Sequence, residues 1–385
     1  MTAPFILGIE TSCDETAAAV VQGTSRVLSN VVATQHDLHR RYAGVVPEIA
    51  SRAHLERIIP VVREALGTAG VGLGDLEAIG VAHRPGLIGS LLVGTSAAKA
   101  LAWALGVPLV GVDHVVAHLH AGLLDDEPVS YPALGLVVSG GHSSIFLVEG
   151  ALEVTLLGRT IDDAVGEAYD KAATILGLEY PGGPAIDRLA ADGDETAHCF
   201  PVAKLGPESL DFSFSGLKTA VLLRVRELEA SRQLGDEVAH LCASFQRAAV
   251  EQIAEKTARA VRAYGSERGV LGGGVARNTA LADAVRSRLG PEVSVFVPQP
   301  RLATDNAAMV ARAARFRLDR GERDSGRPPE RALYRACRPV PLHREEREEP
   351  IAAPLQTYLY PRISPDGGRV ALDDRGGTND IWIWD

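Results

Sequence analysis

The hydrophobic positions of this chain change period several times between the first residue and about residue 320. Phe5–Glu10 is a short apolar run, Thr11–Glu15 a polar turn and Thr16–Gln22 a second apolar run. This predicts strand, turn and strand, with a third strand near Val27–Ala33 completing a meander. Pro47 then opens a predicted helix with apolar residues at Ile49, Ala53, Leu55, Ile58 and Ile59. Ala78–Val81 reads as a strand, Gly89–Leu105 as a helix and Leu109–Val112 as a strand. Such alternation predicts an α/β domain.

The strand–turn–strand theme then returns. Ala133–Val138 and Ser143–Val148 are apolar, with the polar glycine turn Ser139–His142 between them. It shares its plan with Phe5–Gln22 but hardly a residue, so a duplicated α/β fold with a cleft between two lobes is expected. Asp163–Leu176 and Ala185–Ala191 read as helices of an insert, broken at Pro181-Gly182-Gly183-Pro184. Asp236–Ala263 reads as one long amphipathic helix. The strand Gly269–Leu271, the turn Gly272–Gly274, a helix Ala276–Arg288 and a last helix Asp305–Asp319 follow. The expected division is a first lobe over 1–135 and a second over 136–320, with the insert at about 160–235. An Arg/Glu/Pro-rich linker over 321–357 and a foreign tail over 358–385 complete it. The tail resembles part of one TolB-like propeller repeat and reads as a remnant, because a propeller needs several blades.

Charge narrows the partners. The 385 residues carry a formal net charge of −10, whereas proteins that grip nucleic acid through phosphates are usually basic. Nucleic acid could be held only by a local patch or with a helper. Two candidate patches are His36, His39, Arg40, Arg41, His54 and Arg57, and the stretch Arg312–Arg347; a solvated surface would look the same. No uncharged apolar run reaches the roughly 18–20 residues of a membrane span, and Met1–Ile9 lacks a basic leader. A cytoplasmic protein with no membrane partner is expected. Cys13, Cys199, Cys242 and Cys337 form no C-x-x-C pair, so neither a disulfide framework nor a cysteine zinc site is expected. The last three read as small buried thiols.

The candidate chemistry centres on Asp113-His114-Val115-Val116-Ala117-His118. Histidines at i and i+4 share a helix face, with Cβ atoms about 5–6 Å apart. Two such imidazoles can reach one metal ion, and they follow a strand, at the end where α/β folds bind ligands. A helix that merely carries two histidines has the same spacing. Val115 stands where a zincin has its glutamate base, so metalloprotease chemistry is not expected. Asp305 is the best third ligand, although alone it also suits a helix start. Ser139-Gly140-Gly141-His142 and Gly272-Gly273-Gly274 can turn backbone amides towards phosphate, and neither is a P-loop. Asp170 and Lys171 alone read as a solvated helix face, and Phe212–Lys218 as an extended loop or edge strand.

In order along the chain stand Gly8–Thr16 (GIETSCDET), Val46–His54, Pro85–Leu91, His114–His118 and Val138–His142, then Tyr180–Pro184, Phe212–Lys218, Gly272–Asn278 and Thr304–Asn306. Together they strongly resemble the TsaD (Gcp) family of bacterial-type tRNA N6-adenosine threonylcarbamoyltransferases, over roughly residues 4–340. The resemblance implies a duplicated actin/hexokinase-like (ASKHA) fold. It implies transfer of threonylcarbamoyl from threonylcarbamoyl-AMP to N6 of the tRNA adenosine 3′-adjacent to the anticodon. It implies His114, His118 and Asp305 as ligands of one divalent metal ion per subunit, iron(II) preferred and zinc possible. Val137, Val138, Ser139, Gly140, Gly141, Asp170, Gly183, Asp187 and Asn278 would bind the adenylate, with Asp14 and Glu15 lining the same pocket. The implied partners are tRNA, a paralogous inactive TsaB-like subunit, a small TsaE-like ATPase and a separate synthase of the adenylate. No motif pairs a serine or cysteine with a base, so direct attack by the adenosine amine is expected. Where the family has a Thr-x-Gly-Pro-Gly-Leu run, this chain has Ala82-His83-Arg84-Pro85-Gly86-Leu87, which puts Arg84 in the turn. The rival readings are a small-molecule kinase or ATPase of the same superfold and a non-catalytic scaffold paralogue. The first would bind a hard cation through oxygens, and the second would have lost the histidines and Asp305.

Overall fold

The computed structural model describes residues 4–42, 44–124, 130–206 and 208–324, and three strands beyond them. The chain divides into two compact units, residues 1–327 and 328–385.

The first unit is built on two five-stranded sheets. β1 (Phe5–Glu10), β2 (Glu15–Gln22) and β3 (Arg26–Thr34) form the meander. A short helix α1 (His36–His39), a 3-10 turn (Arg40–Tyr42) and the long helix α2 (Pro47–Ala69) lead to β4 (Leu76–Arg84), α3 (Ile88–Leu105), β5 (Leu109–Asp113) and α4 (His114–Ala121). The strand order is β3-β2-β1-β4-β5, with β4 and β5 parallel to β1. The second sheet repeats this. β6 (Ala133–Val138), β7 (Ser143–Val148) and β8 (Val154–Arg159) form its meander, and β9 (Arg268–Gly272) and β10 (Ser294–Phe296) add the parallel strands, in the order β10-β9-β6-β7-β8. Each strand of one sheet thus has a counterpart in the other.

The helices between β8 and β9 are α5 (Val165–Ile175), α6 (Gly182–Ala190), α7 (Ser215–Ser231) and α8 (Leu234–Tyr264). α9 (Thr279–Leu289) connects β9 to β10, and α10 (Pro300–Ala303) and α11 (Ala307–Asp319) follow β10. Helix α7 corrects the extended reading of Phe212–Lys218. Phe212 makes one bridge to Thr160, and the helix starts at Ser215. The Asp162 carboxylate accepts from the amides of Phe214 and Ser215 and so satisfies the helix start. That capping group lies about fifty positions away, so no local pattern announces it.

Period-2 alternation divides the first sheet between two cores. Leu7, Ile9, Ala18 and Val20 pack with α2 and α3, whereas Ile6, Ala17, Ala19 and Val21 pack with α11. A strand buried on both faces reads as a continuous apolar run, as β1 does. Helix α11 therefore lies on the first sheet, although it follows the second in sequence. Helix α4 is shared, with Ala117 and Ala121 in the core with α11, and Val115 and Leu119 against Val137 and Phe146 of the second sheet. The second sheet also begins at Ala133, ahead of the 135/136 division.

Burial and backbone conformation bear on three expectations. Cys199 is exposed, whereas Cys242 is buried; Cys337 lies outside the described residues. His39, His54 and Arg312 are buried, so neither basic stretch is simply a solvated surface. Most of Arg312–Arg347 lies outside the described residues. Arg84 needs no positive φ: among the described residues only Arg232 combines a side chain with that conformation. Arg84 closes β4, and its guanidinium pairs with Asp113 at 3.2 Å. Helix α3 is long and apolar enough by length and composition to cross a membrane. Here it packs Ser90, Gly94, Ala98 and Ala102 inward and exposes Ile88, Leu92 and Trp103.

In the second unit, β11 (Leu359–Ile363), β12 (Val370–Asp374) and β13 (Asp380–Trp384) form a three-stranded antiparallel sheet. The linker over 321–357 lies almost wholly outside the described residues.

Candidate active site

The edge of β5 delivers the histidines. Asp113 caps α4, its carboxylate accepting from the amides of Val115 and Val116, so the helix begins with His114 where the strand ends. His114 and His118 are then one turn apart, their ring centroids 4.7 Å from each other. Asp305 comes from the other end of the chain. It lies just before α11, whose N-cap is Asn306, so it is not the helix residue predicted. Asn306 holds this corner by donating to the carbonyls of Leu302 and Thr304 and accepting from the Met309 amide. Asp305 Oδ1 thereby stands 3.1 Å from His118 Nε2 and 3.5 Å from His114 Nε2. The three ligand atoms could hold one metal ion.

Glu10 completes this corner from the end of β1. It is fully buried, and its carboxylate meets His114 Nδ1 at 2.9 Å, leaving Nε2 to face Asp305. A carboxylate behind an imidazole is the usual support of a histidine ligand. Ser12 Oγ is 3.1 Å from the same nitrogen. Burial disfavours the His114 cation, but Asp305 and Glu10 outweigh it and raise the group to about 9. Asp305 is held well below the usual carboxylate range: burial would raise it, and the two histidines prevail. The corner thus favours positive charge among buried carboxylates. Among the described residues His118 Nδ1 has no hydrogen-bond partner.

His114 and Asp305 line a cleft of about 590 Å³, with His118 fully buried beside them. Asp14 and Glu15 line its first-sheet wall, and Ser139, Gly140, Gly141, Asp170, Gly183, Asp187 and Asn278 line the opposite wall. Two predicted residues fall elsewhere. Val137 and Val138 are fully buried in β6 between β7 and β9, with side chains in the two cores. Asp170 is no solvated residue, since its carboxylate accepts from the Gly182 amide at 2.7 Å. Burial, with Asp14 across the cleft, raises it. The Cys13 thiol also lines the cleft, and burial with Asp14 and Asp305 pushes it far up, so it is a poor nucleophile.

The phosphate-type turns are built by close packing. Gly273 has φ 89°, and a Cβ there would stand 2.3 Å from the Val138 carbonyl, so the turn after β9 lies directly on β6. Gly166 and Gly183, at the starts of α5 and α6, line the cleft, but their helix-start amides are taken: Val165, Gly166 and Glu167 donate to Ser143 Oγ and the carbonyls of Ser139 and Gly140, and Gly182 donates to Asp170.

The family profile described as TsaD: tRNA N6-adenosine threonylcarbamoyltransferase matches residues 26–312. A relative of that name from Anaeromyxobacter dehalogenans is 55% identical over 320 residues, covering 83% of this chain and 95% of its own length. This chain belongs to the tRNA N6-adenosine threonylcarbamoyltransferase family. Solved structures add the fold. HypF of T. kodakarensis matches with a TM-score of 0.52 at 18% identity, over 83% of this chain and 48% of its own. The (R)-2-hydroxyglutaryl-CoA dehydratase component A of Acidaminococcus fermentans matches with a TM-score of 0.50 at 13% identity, over 82% and 100%. The architecture is the actin/hexokinase-like ASKHA fold.

Within this threonylcarbamoyltransferase, Asn278 has little left to offer a ligand. It caps α9 by accepting from the Leu281 amide, and its NH2 group donates to Asp187 and Gln246, each at 2.9 Å. It lines the cleft and fixes Asp187 there. Asn278→Ala is expected to cost about 1–2 kcal/mol from the lost cap and buried hydrogen bonds, read by urea denaturation; an unchanged midpoint would show that the cap is dispensable. Sequence reasoning named His142, His36 and Tyr180 only as part of a turn, a basic patch and a motif; it missed that all three line the cleft, and it missed the support role of Glu10. His142 followed directly from the glycine turn. Burial, with His114 and His118 beside it, holds it down to about 4, so it is neutral at physiological pH. His36 and Tyr180 carried no local signal beyond the motifs around them.

Proposed function

We propose that this chain transfers a threonylcarbamoyl group from threonylcarbamoyl-AMP to N6 of the tRNA adenosine 3′-adjacent to the anticodon. The observation that carries this reading is the meeting of His114, His118 and Asp305 at the cleft, where His114 and Asp305 join Ser139, Gly140, Gly141, Asp170, Gly183, Asp187 and Asn278 in the lining. Two imidazoles and one carboxylate, backed by Glu10, suit a borderline cation such as iron(II) or zinc better than magnesium. When bound there, such an ion supplies Lewis-acid polarisation to the acyl carbonyl. The scaffold reading is disfavoured because all three residues are present.

The chain's own groups do the rest. The Ser139–His142 glycine turn orients the AMP end and stabilises charge on it as it leaves. Asp187, held by Asn278, and Asp170, held by Gly182, position the nucleoside. The inert Cys13 favours direct attack by the adenosine amine. Exposed apolar residues on α2 (Leu55, Ile59) and α3 (Ile88, Leu92) support docking of a protein partner, which we assign to a paralogous inactive TsaB-like subunit. A small TsaE-like ATPase and a separate synthase complete the system, in the compartment that holds tRNA, the cytoplasm.

The test combines purified protein, these partners, labelled threonylcarbamoyl-AMP and unmodified tRNA. Label is expected in the modified adenosine and on no side chain of the enzyme. An acyl-enzyme trapped on Cys13 would contradict direct attack, and unlabelled tRNA would contradict the reading itself.

A further inference from the structure

The segment His36–Tyr42 is unusual for an acidic chain. It carries Arg40 and Arg41 in succession, both exposed, with the Arg41 guanidinium 4.8 Å above the ring of Tyr42, itself half-exposed. Its geometry is pinned from inside. His39 is fully buried, its Nε2 against Gln35 Oε1 at 3.3 Å and its Nδ1 accepting from the Val46 amide at 3.3 Å. Burial holds His39 low and so uncharged, as an acceptor nitrogen requires. A buried pin fixes a short exposed helix that has no core of its own.

The same segment reaches the cleft. His36 lines it, 3.3 Å from Glu15, with its ring edge-on to Tyr180 of the opposite wall at a centroid distance of 6.3 Å. Outward lie two guanidiniums and a phenol; inward lie two aromatic rings, one from each wall. Single-stranded RNA loops are recognised in this way, with cations on the backbone and splayed bases on aromatic faces. The wall behind His36 is lined by Asp14 and Glu15. The carboxylates nearby are Asp37, which pairs with Arg40 at 3.2 Å, and Glu48, which is engaged by Arg52.

We infer that His36–Tyr42 is the surface that receives the anticodon loop of the acceptor tRNA. Arg40 and Arg41 hold backbone phosphates and Tyr42 a flanking base, while the acceptor adenine enters the cleft past the His36–Tyr180 edge contact. Arg40 exchanges Asp37 for phosphate on binding. This rests on the tRNA transfer proposed above.

The test measures tRNA KM and its salt dependence in the complete transfer reaction, partners present. The variants are Arg40→Ala/Arg41→Ala, Arg40→Lys/Arg41→Lys and His36→Leu. The double alanine variant is expected to raise tRNA KM about tenfold at roughly 0.1 M salt and to flatten the salt slope by roughly 1–2. Its KM for threonylcarbamoyl-AMP and its kcat should hold, and the double lysine variant should recover most of the tRNA affinity. His36→Leu is expected to raise tRNA KM with the metal content intact. An unchanged tRNA KM and slope in the double alanine variant would overturn the surface while wild-type transfer leaves the activity standing. Equal losses in the alanine and lysine variants would also overturn it, by pointing to structure rather than charge. A wild type that forms no product would overturn the activity instead.

Discussion

His114→Ala is expected to abolish transfer and to empty the metal corner at once. The substitution removes the one imidazole that faces Asp305 with Nε2 and Glu10 with Nδ1. Two ligands remain, and a two-ligand site holds a divalent ion poorly. It also leaves Glu10, fully buried, without its histidine. Breaking a buried pair from one side costs roughly 3–5 kcal/mol, so a fall in stability accompanies the fall in activity. Glu10→Gln separates the two effects. It keeps the shape and a hydrogen-bonding group but removes the charge behind His114, and metal affinity is expected to fall roughly 10–100-fold with the fold retained. Elemental analysis of both variants checks this. Full metal occupancy in His114→Ala would remove His114 from the ligand set.

Gly8→Val is expected to damage the fold and the site together. A Cβ on Gly8 would stand 2.2 Å from the Ala307 carbonyl oxygen and 2.9 Å from the Ala311 amide nitrogen, both backbone atoms of α11. Valine adds two further methyls there, and α11 must move off the sheet. Overpacking of this kind costs about 3 kcal/mol, the upper end of the usual range. Because Asp305 stands immediately ahead of Asn306 and α11, the same movement withdraws the third ligand from the histidines. The expected result is a lower denaturation midpoint with reduced metal content. A wild-type midpoint would show that the approach of α11 to β1 is looser than described. Gly80 makes a parallel contact, where a Cβ would meet the Ala314 Cβ at 2.6 Å. Two glycines on neighbouring strands thus set how closely the last helix seats.

Much of this architecture was legible in the chain. Strand runs, glycine turns and the strand-to-helix step at Asp113 are local signals, and the repeated strand–turn–strand plan foretold the repeated strand order. Partners chosen across the molecule were not legible. A helical stripe says that α11 buries a face, but not which sheet receives it. Asp162 capping α7 and Glu10 behind His114 are acts of distant residues on an unremarkable local sequence. The site list shows the same limit. His114, His118 and Asp305 lie together, yet Val137 and Val138 belong to the core beneath the cleft. Asn278 spends its side chain on Asp187, Gln246 and the start of α9. A motif marks a neighbourhood, and packing decides which of its members face the ligand.

The central claim is acyl transfer to tRNA that depends on the His114–His118–Asp305 corner. The most direct measurement strips wild-type protein with a chelator, returns iron(II) or zinc stepwise, and follows both bound metal and labelled threonylcarbamoyl on tRNA, with the partners present. Transfer is predicted to vanish on stripping and to return in proportion to the metal bound, levelling off at one ion per chain. Full transfer by the stripped protein, or metal binding that saturates without restoring transfer, would contradict the claim.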